Sequence, residues 1–126
     1  MDAVARQRAQ NRQFRTGCED FDAGRFWEAH EAWETAWHGD QEQDRAVYKG
    51  LIQVAAVQHH LTRQRLSAAA AILRRGRIQL LLGSADPLRW PLDLEQLLAV
   101  TRAQTASLEA GQVPAVTSLR LLPMLG

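Results

Sequence analysis

The segment FWEAHEAWETAWH, residues 26–38, gathers three tryptophans, two histidines and three glutamates into thirteen residues. Wound as a helix at 100° per residue, it puts Phe26, Ala29, His30, Trp33 and Trp37 on one face. Glu34 and Trp27 sit at the margin beside His30, with Glu28 and Thr35 opposite. A tryptophan stripe at this spacing reads first as core, because an indole buries so much area. An imidazole inside that stripe needs a hydrogen-bond partner, and Glu34, one turn on, can reach it. Two readings stay open: a buried histidine satisfied by Glu34, or a ligand or general base oriented by a carboxylate.

His59 extends the second reading. It falls on an apolar stretch of a later helix with Tyr48, Ile52, Ala55 and Ala56. If the two helices pack antiparallel, His30, Glu34 and His59 form an N,N,O set suited to a divalent metal such as zinc or iron. The spacing is neither the His-Glu-x-x-His of zinc proteases nor the Glu-x-x-His of di-iron bundles. His38 and His60 read as solvent-facing. Cys18, beside Glu19 and Asp20, has its thiolate disfavoured. Ser67, Ser84, Ser107 and Ser118 lie in no nucleophile motif, and there is no glycine-rich phosphate loop.

These residues need elements to hold them. Strand signals are nearly absent, and Ala, Leu, Arg, Gln and Glu, good helix formers, dominate. The pattern predicts an all-α fold, a compact bundle of about five helices arranged as antiparallel hairpins. The first helix runs from about Ala3 to Phe21, with Val4, Phe14, Cys18 and Phe21 as a sparse apolar stripe and a frayed start over residues 1–13. The second spans about Arg25–His38, after Gly24 and before Gly39. The third, about Asp44–Leu61, is apolar nearly all round, with Lys49, Gln53 and His60 as its polar strip. Gly50 allows a neighbouring backbone to approach it closely. The fourth, about Leu66–Leu82, draws its apolar residues from Ala69, Leu73, Ile78, Leu80 and Leu81. The fifth starts at an Asp93 N-cap, with Gln96 as capping-box partner and Leu92 and Leu97 as hydrophobic staple, and stops at Gly111. Residues 112–126 read as an extended apolar tail across the bundle or a partner chain. The string AGRFWEAHEAWE has the spacing of a tetratricopeptide-like hairpin turn, without a 34-residue repeat.

Composition narrows the classes. The chain has 126 residues, 46% of them apolar, enough for a single domain over 1–126 with one ordinary core. Lys plus Arg number 15 against 14 Asp plus Glu, a net charge of +1, so no global field draws the chain to nucleic acid or membrane. The clusters Arg6–Arg15 and Arg74–Arg77 read as solvated faces. One cysteine excludes an intramolecular disulfide and suits a cytoplasmic setting. The N-terminal residues lack the apolar region of a secretory signal, and no apolar run is long enough to cross a bilayer.

The strings FDAGRFWEAHEAWETAWH and RAVYKGLIQVAAVQHH, followed by SAAAAILRRGRIQLL, resemble the family catalogued as domain of unknown function 309, over roughly residues 14–110. Its pattern is an aromatic-x-Glu-x-His-Glu-x-x-Glu helix, then an Arg and a Gly-Leu-Ile-Gln-x-Ala-Ala helix ending in His. The resemblance implies an all-helical fold with no established activity. It places the family pattern on Gly24, Glu28, His30, Glu31, Glu34, Trp37, Arg45, Gly50, Gln53 and His59. Many members carry a Gly-Asn-like turn where this chain has Arg63–Leu66. The expectation is a helical interaction module, self-associating as a homodimer, with a polar pocket lined by His30, Glu31, Glu34 and His59. The alternative is a metal- or base-dependent enzyme acting on a small molecule through His30, Glu34 and His59.

Overall fold

The computed structural model describes the backbone of residues 3–38, 45–83 and 92–119, with side chains from Arg12 onward except His38. Expectations for the loops at 39–44 and 84–91, and for residues 120–126, lie outside these. Five helices are described: α1 (Ala3–Asp22), α2 (Phe26–His38), α3 (Arg45–Thr62), α4 (Leu66–Gly83) and α5 (Leu94–Glu109). All-α class, helix order and boundaries to within a residue or two follow the expectation. No described helix is long and apolar enough to cross a membrane.

Short turns fold the helices back on one another. Between α1 and α2, Gly24 takes φ +81, a left-handed value that a residue with Cβ adopts at a cost. The Arg25 guanidinium grips Asp20 at 2.8–2.9 Å across the same turn. Between α3 and α4, Gln64 takes φ +58, so the departure from the family's Gly-Asn-like turn leaves a glutamine in a left-handed conformation.

Close approaches set the registers. The Trp33 indole lies on the backbone of Gly17, where an added Cβ would stand 2.3 Å from Nε1. The ring N–H donates to the Phe14 carbonyl at 3.1 Å. That contact fixes the rotation of α2 about its axis. Val47 meets Gly83, Gly50 meets Leu80 and Gly76, and Gln53 meets Gly76. Partner numbers fall as those on α3 rise, so α3 and α4 run antiparallel. The close approach expected at Gly50 is present, and Gly76 supplies its other half.

The main core joins Phe14, Phe21, Trp33 and Leu51 with residues of the other helices and reaches Leu119 in the tail. A smaller cluster of Val57, Leu61, Ala69 and Leu73 fills the far end of α3 and α4. Of the apolar residues of α4, Ile78 and Leu81 are 57% and 54% exposed, because the core side of α4 is set by Ala69, Leu73, Gly76 and Leu80. Gln58, outside the polar strip of α3, is fully buried.

Candidate functional site

With Trp33 locked into the core, α2 turns Trp27 and His30 toward the end of α3. The rings of Trp27 and His30 stack, 5.0 Å between centroids and 12° from parallel. Trp27 also lies against His59, at 5.7 Å and 46°, and His59 stands edge-on to His60 at 6.1 Å. Trp27 is nonetheless 51% exposed. The three tryptophans of α2 therefore differ: Trp33 is core, Trp37 is partly buried against it, and Trp27 forms half of a surface.

His30 and Glu34 are neighbours, as their spacing requires. The gap from His30 Nδ1 to Glu34 Oε2 is 3.7 Å, too long for a hydrogen bond. His30 Nδ1 is buried and has no hydrogen-bond partner among the described residues. Glu34 is about half exposed. Of the two readings left open, a buried histidine satisfied by Glu34 is thus not what the geometry gives: the contact is loose and its carboxylate half exposed.

Burial, and then neighbouring Arg63, His60 and Arg65, push the His59 pKa below its ordinary value, with the Glu28 carboxylate opposing. The shift favours the neutral imidazole, which has lone-pair character at one ring nitrogen. His60, expected to face solvent, is partly buried, and its Nδ1 is buried without a hydrogen-bond partner among the described residues.

The remaining pattern residues go elsewhere. Arg45 stacks its guanidinium on Trp37, 4.6 Å from the ring centroid. Ten residues of helix separate Trp37 from Trp27, about 15 Å along the axis, so this pair belongs to the opposite end of the α2–α3 seam. Gln53 faces α4 at Gly76, and its Oε1 is buried without a hydrogen-bond partner among the described residues. Glu31 is exposed. Among the described residues, no three His, Cys, Asp or Glu side chains are grouped so as to hold a metal ion; His30 and His59 each lie against the Trp27 ring.

Cys18 needs a smaller correction. Burial, then the Asp22 carboxylate and Glu19, push its thiol up to about 12. Asp20, expected to contribute, points instead to Arg25. On a helix the i+4 residue shares a face and the i+2 residue does not.

Residues 14–72 match the family model described as a domain of unknown function, DUF309. Over that segment the chain is similar to DUF309. The DUF309 match ends within α4, short of the 14–110 expected, yet it contains every residue of the quoted pattern from Gly24 to His59. No curated protein and no solved structure matches the chain. In this chain, then, the pattern residues lie in at least two places: His30 and His59 against Trp27, and Arg45 with Trp37.

The buried Gln58–Gln104 pair was missed at the sequence level. Each glutamine donates to the other, at 3.1 and 3.0 Å. A signal was present: Gln58 continues the Val47, Leu51, Val54 stripe at helical spacing, and Gln104 continues Leu97 and Thr101.

Proposed function

We propose that this chain is a helical interaction module that associates with a second copy of itself through the α2–α3 face centred on Trp27. The half-exposed Trp27 ring, held flat by His30 and flanked by His59, carries this reading. An aromatic anchor already immobilised loses little side-chain entropy on docking, and tryptophan is prominent among interface residues that dominate affinity. Exposed Glu28, Glu31, Arg63 and Arg65 supply a charged rim of mixed sign. Sedimentation velocity across a range of concentrations tests it. The native chain is expected to associate as concentration rises, and Trp27→Ala to stay monomeric with its helical circular dichroism intact. A native chain that remains monomeric throughout, or association unaltered by Trp27→Ala, overturns the reading.

A second reading rests on His30 Nδ1, buried and unpaired with a carboxylate 3.7 Å away. Catalytic hydrogen bonds are often long before a ligand arrives, so His30 can serve as a base oriented by Glu34 toward a small molecule, with His59 alongside. Its metal-dependent form is tested by elemental analysis of the purified chain against His30→Ala. Metal that copurifies with the native chain and is lost from the variant supports it; equal traces in both count against it.

A further inference from the structure

The described part of the extended segment after α5 is held to the body by main-chain hydrogen bonds and one buried side chain. Gln104 Nε2 donates to the Ala115 carbonyl at 2.9 Å, and the Thr117 amide donates to Gln58 Oε1 at 3.1 Å. Two residues further on, the Leu119 amide donates to an Asp22 carboxylate oxygen. Residues 115, 117 and 119 alternate, so these groups form one edge of an extended strand. The outward side chains make no comparable contribution: Val113 is 61% and Val116 49% exposed. Among the described residues of the segment, Leu119 alone is buried, and it joins the main core.

The receiving groups are built for this. Gln58 and Gln104 are both buried. Each amide satisfies the other, and the pair keeps one acceptor lone pair on Gln58 and one N–H on Gln104 for the strand. With a carboxylate beyond them, they present a donor, an acceptor and a second acceptor in strand register. This is recognition by backbone with one side-chain anchor, as when a peptide adds to a sheet edge.

We infer that Gln58, Gln104 and Asp22 form a backbone-reading site, filled here by residues 115–119 of the same chain and open to the same segment of a second copy. The hinge favours exchange. Helix α5 closes at Gly111, φ +75, with Gln112 N donating to Ser107 O at 2.8 Å. Only Val113 and Pro114 then lie between that turn and the first clamped carbonyl. Short hinges of this kind invite swapping between copies, and an exchanged tail repeats every bond of the resident one, leaving chiefly the entropy of association as the cost. A tethered tail competes at an effective concentration in the millimolar range, so a dilute native chain keeps its own.

The test uses full-length chains that all carry Trp27→Ala, so that association through the α2–α3 face, and any failure of that reading, has no bearing. An isotope-labelled chain with Thr117→Pro and Leu119→Asp has an open site and a disabled tail. Titration with an unlabelled chain carrying Gln104→Leu, whose tail is native, is expected to shift the Gln58 and Gln104 side-chain amide resonances saturably. Adding Thr117→Pro to the unlabelled chain removes one main-chain donor and is expected to weaken binding at least about tenfold. No shift, or equal shifts from both unlabelled chains, overturns the inference. Should the double substitution unfold the labelled chain, Thr117→Pro alone replaces it with the same two outcomes.

Discussion

At the scale of single residues, the decisive contrast is between Trp33 and Trp27, alike in type and six positions apart. Trp33 finds a glycine backbone beneath it and a carbonyl for its N–H; Trp27 finds two imidazoles and water. Trp27 helps desolvate His59, so Trp27→Ala is expected to move the His59 pKa upward toward its ordinary value, read from the imidazole proton shifts in an NMR titration. His59 also links stability to pH. Its folded pKa lies below the unfolded value of 6.5, so the unfolded state binds the proton more readily. Its contribution is complete above that value and is lost as the pH falls below it. His59→Gln is expected to flatten this limb in melting curves taken between pH 7 and 5.

Cys18 gives the opposite limb. A thiol raised from 9.0 to about 12 by folding supports the native state below pH 9 and ceases to do so as the pH rises beyond it. The native chain is expected to resist a thiol reagent at pH 8 until denaturant is added. Its melting temperature is expected to fall above pH 9 more steeply than that of Cys18→Ala.

At the scale of elements, helix spacing and end signals come from local chemistry and are legible as such. Asp93 caps α5 through the Gln96 amide at 2.9 Å, and Leu92 and Leu97 are both buried, as the staple pattern requires. Asp93→Ala is expected to cost about 1 kcal/mol in chemical denaturation. The α3–α4 turn offers a gain instead. Gln64→Gly relieves a left-handed residue and is expected to stabilise by about 1 kcal/mol, seen as a rise in melting temperature. Which side of a helix is covered was less legible. The sequence of α4 has apolar residues on several faces, and Ile78 and Leu81 are exposed because the small pair Gly50 and Gly76 draws a different face against α3. Gly17→Ala would force the Trp33 ring out of place and is expected to destabilise by about 3 kcal/mol, the scale of overpacking a tight core.

At the scale of the whole molecule, helix class, order and approximate boundaries follow from the sequence because they depend on neighbours within a few positions. Apolar periodicity, the stop at Gly24 and the Asp93 cap each act over one or two turns. The candidate residues His30, Glu34 and His59 were also visible there, since type and spacing suffice to nominate them. Their geometry was not. Whether His30 meets Glu34, His59 or an indole depends on the rotation of α2, which is set by Trp33 resting on Gly17, sixteen residues earlier in the chain. The separation of Arg45 and Trp37 from the imidazoles follows from helix length once the pairing is known. The tail clamp lay furthest from view. Gln58, Gln104, Asp22 and residues 115–119 come from four separate parts of the chain, and two glutamines say nothing of each other until α3 and α5 are packed. Local patterns determined the elements; contacts between side chains distant in sequence decided what surrounds each polar group, because burial and partnership belong to the packed chain.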